Sequence, residues 1–129
     1  MSDQVYSSLI DKIKFGYEKS IYVSEGWREL VYTLHEKLSY ISPNYKVHQV
    51  KQKFGGLRFY AEYVPKGKEK NPDLMKSIFD DLVALAETAS YHICETCGDW
   101  GELVGDTWIY VACKDHADHA PEAYLKPKD

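Results

Sequence analysis

At 129 residues the chain has room for one domain with a genuine hydrophobic core, plus at most a small appended module. Its 44% hydrophobic and 28% charged residues argue against a disordered chain, and a net charge of −4 argues against non-specific nucleic-acid binding. No basic n-region precedes an apolar run and no stretch of about 18 apolar residues occurs, so neither a signal peptide nor a membrane span is expected.

Val5, Leu9, Ile10 and Ile13 recur at helical spacing, which predicts a first helix over residues 3–17 that Gly16 stops. A short apolar segment, Ile21-Tyr22-Val23, follows. Ser24 is then a candidate N-cap for a second helix, whose stripe of Trp27, Leu30, Val31, Leu34, Leu38 and Ile41 would face a core until Pro43 ends it. His35 lies beside that stripe, as a hydrogen-bonded core histidine would.

From Val47 to Val64 the pattern is β-like, broken by Gly55-Gly56, which predicts a tight hairpin closed by Phe54 and Leu57. In that register Val50, Phe54, Leu57, Phe59, Ala61 and Tyr63 share an inner face with His48 and Gln52, while Lys51, Lys53, Arg58 and Tyr60 share the outer one. Like charges side by side cost stability unless an anion, an acidic partner or a carboxylate such as Glu62 offsets them. Two readings follow: a docking face for an acidic ligand, or an exposed sheet face whose lysines block aggregation. After a polar loop, Asn71-Pro72 opens a third helix marked by Leu74, Ile78, Leu82, Leu85 and Ala89, ending near Ser90. The tail beyond Ala120 is expected to be irregular.

All three cysteines lie within twenty residues, an odd number that suits a metal site better than a secreted disulfide framework. Cys94-Glu-Thr-Cys97-Gly98 is followed by Cys113-Lys-Asp-His116, and two such pairs can supply four tetrahedral ligands to zinc from two turns. Leu103-Val104 and Trp108–Val111 between them are expected to form short strands joined by Gly105-Asp106. His119 is the alternative fourth ligand and His92 a more distant one. A shell of four protein ligands leaves no position for water or substrate, so the zinc is expected to be structural. The His-x-Glu of a zinc deaminase is absent, as are a phosphate loop, G-x-S-x-G and H-E-x-x-H.

The string Lys51–Tyr60 (KQKFGGLRFY), the upstream Trp27 helix and the downstream C-x-x-C-G…W…C-x-x-H together resemble a family of small proteins found in bacteria, prophages and phages. The resemblance spans roughly residues 24–119. It implies a phage or mobile-element origin and supports the zinc assignment, but implies no reaction.

The expected fold is α+β: three helices on a small antiparallel hairpin sheet, with a C-terminal zinc-ribbon or treble-clef-like knuckle. Residues 1–90 would form the core, 91–120 the knuckle and 121–129 the tail. The expected function is a non-enzymatic, cytoplasmic binding protein acting on a host or phage macromolecule, with Lys51, Lys53, Arg58 and Tyr60 meeting an acidic protein surface. Nucleic-acid binding through the ribbon and hairpin is the alternative. A metal-dependent hydrolase using Asp115, His116 and His119 is a third.

Overall fold

The computed structural model describes residues 3–122 and 124–127. Helix α1 spans Asp3–Asp11, α2 Arg28–Ile41 and α3 Pro72–Ser90, with a single 3-10 turn at Glu25–Trp27 leading into α2. Strands β1 (Ile21–Tyr22), β2 (Lys46–Lys53) and β3 (Gly56–Glu62) form one sheet in that order. Strands β4 (Glu102–Val104) and β5 (Tyr110–Ala112) form a separate antiparallel pair. The α+β class and the three helices stand as expected, but the main sheet gains a third strand, because β1 pairs parallel to β2.

Helix α1 is shorter than its periodicity implied. It ends at Asp11, and Ile13 leaves the helical path to bridge Val47, burying its side chain in the sheet's company. Ser24 makes no side-chain cap, since the chain enters α2 through the 3-10 turn. Pro43 does end α2: the Ser42 N–H closes on Leu38 O at 2.8 Å, and the Ser42 hydroxyl then clamps Val64, donating to its oxygen and accepting from its nitrogen.

The hairpin turn is Phe54-Gly55, not Gly55-Gly56. Both turn residues have positive φ, 52° and 84°, and Lys53 pairs with Gly56 to close it. The primed turn geometry matches the strand twist, and here a phenylalanine accepts its strained first position. The two registers differ by an even step, so most side chains keep their predicted faces. Phe54 does not: it stands in the turn, 71% exposed. His48 does not either. A bulge between Val47 and Gln49 turns it outward, where it stacks on Tyr17 and approaches Glu62 at 3.4 Å, while Val47 becomes fully buried.

Helix α3 packs against both α2 and β3, and it presents a different face from the one its leucines suggested. Phe79, Ala86 and Ser90 are buried, with Leu82 and Val83 packed beside them, whereas Leu74, Ile78 and Leu85 remain exposed. The helix also seals the outer edge of β3. Ser90 Oγ accepts the Leu57 N–H at 2.9 Å and Glu87 Oε2 accepts the Phe59 N–H at 2.9 Å. Of the predicted tail, residues 123, 128 and 129 lie outside the described residues; Pro121, Glu122, Tyr124, Lys126 and Pro127 take no regular structure, while Leu125 is buried and donates its N–H to Ile21 O at 3.1 Å along the edge of β1.

The core holds Trp27, Tyr32, Leu38, Val50, Leu57 and Phe79, and each such side chain contributes about 1.5–3 kcal/mol through burial. His35 is one of the polar residues buried with them. Its Nδ1 meets the Tyr45 hydroxyl at 2.7 Å and its Nε2 the Ser8 hydroxyl at 3.0 Å. Burial, with repulsion from Lys12, pushes the imidazole down to about 4. The unfolded chain therefore binds this proton more tightly, near the ordinary 6.5. The neutral ring's contribution is complete above about pH 6.5 and is lost as pH falls toward 4, by at most about 3 kcal/mol. Melting curves of wild type and His35→Gln across that range should converge as pH falls; parallel curves would refute the assignment.

Candidate metal centre

The knuckle residues Cys94–Gly98 are built by short backbone bonds. The Gly98 N–H reaches Cys94 O at 2.9 Å, and the Cys94 N–H reaches Asp99 O at 2.7 Å. Gly98 takes φ +86°, a left-handed conformation that glycine adopts without steric cost. Strands β4 and β5 carry the chain back, and the turn after β5 presents Cys113 and His116. Ligand atoms of Cys94, Cys97, Cys113 and His116 all lie within 4.8 Å of one another.

Individual spacings fit one ion. Cys97 Sγ lies 3.8 Å from Cys113 Sγ, Cys94 Sγ lies 3.8 Å from His116 Nδ1, and Cys113 Sγ lies 3.2 Å from the same nitrogen. A tetrahedron with metal–sulfur bonds of about 2.3 Å has sulfur–sulfur edges of roughly 3.8 Å. The quartet is thus compatible with one metal site. His119 is exposed and lies outside it, as does His92, which stacks on Trp100 at 4.7 Å. Burial raises the Cys94 thiol, but backbone groups of Cys113, Cys97 and Thr96 more than offset that and leave it at about 6. A bound cation would favour the thiolates further.

No protein-family model, curated protein or solved structure matches this chain.

The cluster is fastened to the rest of the fold at several places. Gly26 donates to Glu95 O at 2.8 Å, and the Trp27 indole donates to Ile93 O at 2.8 Å, so the start of α2 grips the knuckle. The hairpin turn supplies the second contact: a Cβ on Gly55 would fall 2.3 Å from Leu103 Cδ2. The third is Glu95, which no spacing in the sequence marks. It is 1% exposed, its Oε2 accepts the Val111 N–H at 2.7 Å, and the Gln52 amide donates to the same oxygen at 3.3 Å. Burial pushes its carboxyl up to about 7. Only its position between two cysteines could have signalled it, and a residue between ligands is usually solvated.

The four hairpin residues fall on the expected outer face. Lys51 lies directly opposite Arg58, and Gln49 opposite Tyr60. Arg58 is held by the Tyr91 hydroxyl at 3.4 Å, which with nearby acidic and phenolic charge raises its already high basicity. Lys53 stands 5.9 Å from the Phe54 ring. Among the described residues neither Lys51 nor Lys53 forms an ion pair; Glu62 is engaged instead with Lys14 and His48. No described helix is long and apolar enough to cross a membrane.

Proposed function

We propose that this chain is a non-enzymatic binding protein in which one structural zinc ion holds a basic, aromatic surface in place for an acidic partner. The cluster itself carries the reading. Three thiolates and an imidazole at tetrahedral spacing suit zinc among the common divalent ions. Four protein donors fill its shell, so the ion builds the module and offers no position for water. His119 and Asp115, which a hydrolase would recruit, are exposed and outside the quartet.

The surface so held contains Lys51, Lys53, Arg58 and Tyr60. The Phe54 turn packs against the hairpin bearing Trp108, and both rings are exposed, at 71% and 62%. Following the resemblance to phage and prophage proteins, we read the partner as a host macromolecule of defence or regulation, met in the cytoplasm. An acidic protein surface is the first choice. Exposed rings beside lysines also suit stacked bases, which keeps single-stranded nucleic acid as the second.

The double variant Lys51→Glu/Lys53→Glu is expected to lose the partners recovered by wild type from bacterial lysate, with its melting temperature changed by no more than about 2 °C. Recovery of the same partners would show that the contact surface is wrong. Capture that disappears after nuclease treatment would assign nucleic acid.

A further inference from the structure

Helix α3 buries one side in the core and leaves an apolar stripe on the other. Leu74, Ile78, Asp81 and Leu85 fall within an arc of about 60° on that outer side, at 3.6 residues per turn. Leu74 and Leu85 are each more than half exposed, so the stripe has nothing over it. Asp81 sits within the stripe, is exposed, and among the described residues forms no ion pair, whereas its neighbour Asp80 is held by Lys76 at 2.7 Å.

The chemistry of the stripe disfavours two occupants. A two-fold pairing of α3 with itself that matches Ile78 to Leu85 of a second copy brings the two Asp81 carboxylates together near the axis, where like charges repel. A lipid surface calls for lysines and arginines beside the apolar side chains, and α3 carries four carboxylates against one lysine. The stripe suits an apolar surface with cations set into it.

The hairpin tip has that composition. Lys51 and Trp108 line one cleft, Lys53 lies 5.9 Å from the Phe54 ring, and the adjoining Gly55 rests on Leu103. Phe54, Trp108 and Leu103 are all exposed. Glu18 and Glu122 line the same cleft, yet among the described residues no carboxylate pairs with either lysine.

We propose that a second copy of this chain docks the outer face of its α3 on this tip, with Asp81 set between Lys51 and Lys53. Leu74, Ile78 and Leu85 then cover the exposed rings. The inference rests on the basic-face reading, because it uses the same lysines, and it makes self-contact a competitor of the host partner there. Joining two different surfaces leaves one unused face at each end of every assembly, so association grows with concentration. The contact is small, and its dissociation constant is expected on the order of 10–100 µM.

The test is sedimentation velocity of the full, zinc-loaded chain over roughly 5–500 µM. The average sedimentation coefficient is expected to rise with concentration, and salt of about 0.5 M to weaken association several-fold. Lys51→Glu/Lys53→Glu removes one face and Asp81→Lys/Leu85→Lys the other, so each protein alone should weaken association at least about tenfold. Mixed in equal amounts they should form a dimer that grows no further, because only one matching pair of faces remains. All four positions are partly or fully exposed; melting temperatures check the fold, and the milder Leu74→Ser/Leu85→Ser is a second variant of the helix face. A wild type that stays monomeric, association indifferent to salt, either variant associating alone as wild type does, or a mixture without dimers would each overturn the proposal. Failure of the basic-face reading looks different: Lys51→Glu/Lys53→Glu would still capture the host partners. The helix variant is expected to keep those partners while losing self-association.

Discussion

Removing the proposed zinc with a strong chelator is expected to unfold residues 94–116 while the helices persist. A structural zinc contributes an apparent binding free energy of about 10–16 kcal/mol, which matches or exceeds the whole stability of an ordinary domain, about 5–15 kcal/mol. The module has little else to replace it: its own buried set is Cys94, Tyr110 and Ala112. Hydrogen exchange should show the Val111 and Gly98 amides losing protection, with the Phe54-Gly55 turn loosening next, because Gly55 rests on Leu103. Elemental analysis should find one zinc per chain, and cobalt substitution should give thiolate charge-transfer bands that Cys113→Ser weakens. Full protection of those amides in the apo protein would rule out a structural role.

The second large effect is expected at Gly26. Its φ is not in the left-handed region, so the constraint is space alone: an added methyl would sit 2.1 Å from Cys94 O and 2.6 Å from the Glu95 carbonyl carbon. Backbone cannot give way there without pulling Cys94 from the metal cluster or α2 from the knuckle. Gly26→Ala should cost about 3 kcal/mol or more, at the upper end of overpacking penalties, and should weaken metal affinity at the same time. Gly67→Ala is the control. That glycine has φ +52° and nothing within 4 Å of the added carbon, so only about 1 kcal/mol is expected. Denaturant melts and a competitive zinc chelator read both quantities; a Gly26→Ala protein as stable as the control would mean that the knuckle does not dock as described.

Residue type and spacing carried the metal quartet, since two short-spacer pairs on opposite sides of a hairpin can close on one point without knowledge of the rest of the fold. Spacing also carried the α2 stripe and the outer face of Lys51, Lys53, Arg58 and Tyr60. The failures share a cause. The pattern Gly55-Gly56 suggests two turn glycines, but a Cβ on Gly56 would lie 2.4 Å from the Tyr91 hydroxyl, so tertiary contact, not turn conformation, fixes a glycine there. On α3 the largest aliphatic residues do not mark the buried side; Phe79 and the small Ala86 and Ser90 do, because the helix lies close along a strand edge. His48 was misplaced by a bulge that alternation cannot foresee. Glu95 was missed because its burial is imposed by Val111 and Gln52, which are distant in sequence.

The way the main sheet ends on both sides restricts how anything can join it. Ser90 and Glu87 occupy the Leu57 and Phe59 amides of β3, and Leu125 occupies part of the free side of β1. An incoming extended segment would have to displace these groups before it could add as another strand. Recognition is thereby steered away from main-chain pairing, which accepts many sequences, and toward side-chain chemistry, which discriminates among them. The same blocked borders protect the protein from templating its own fibres, and cutting away the segment around Leu125 would reopen one of them.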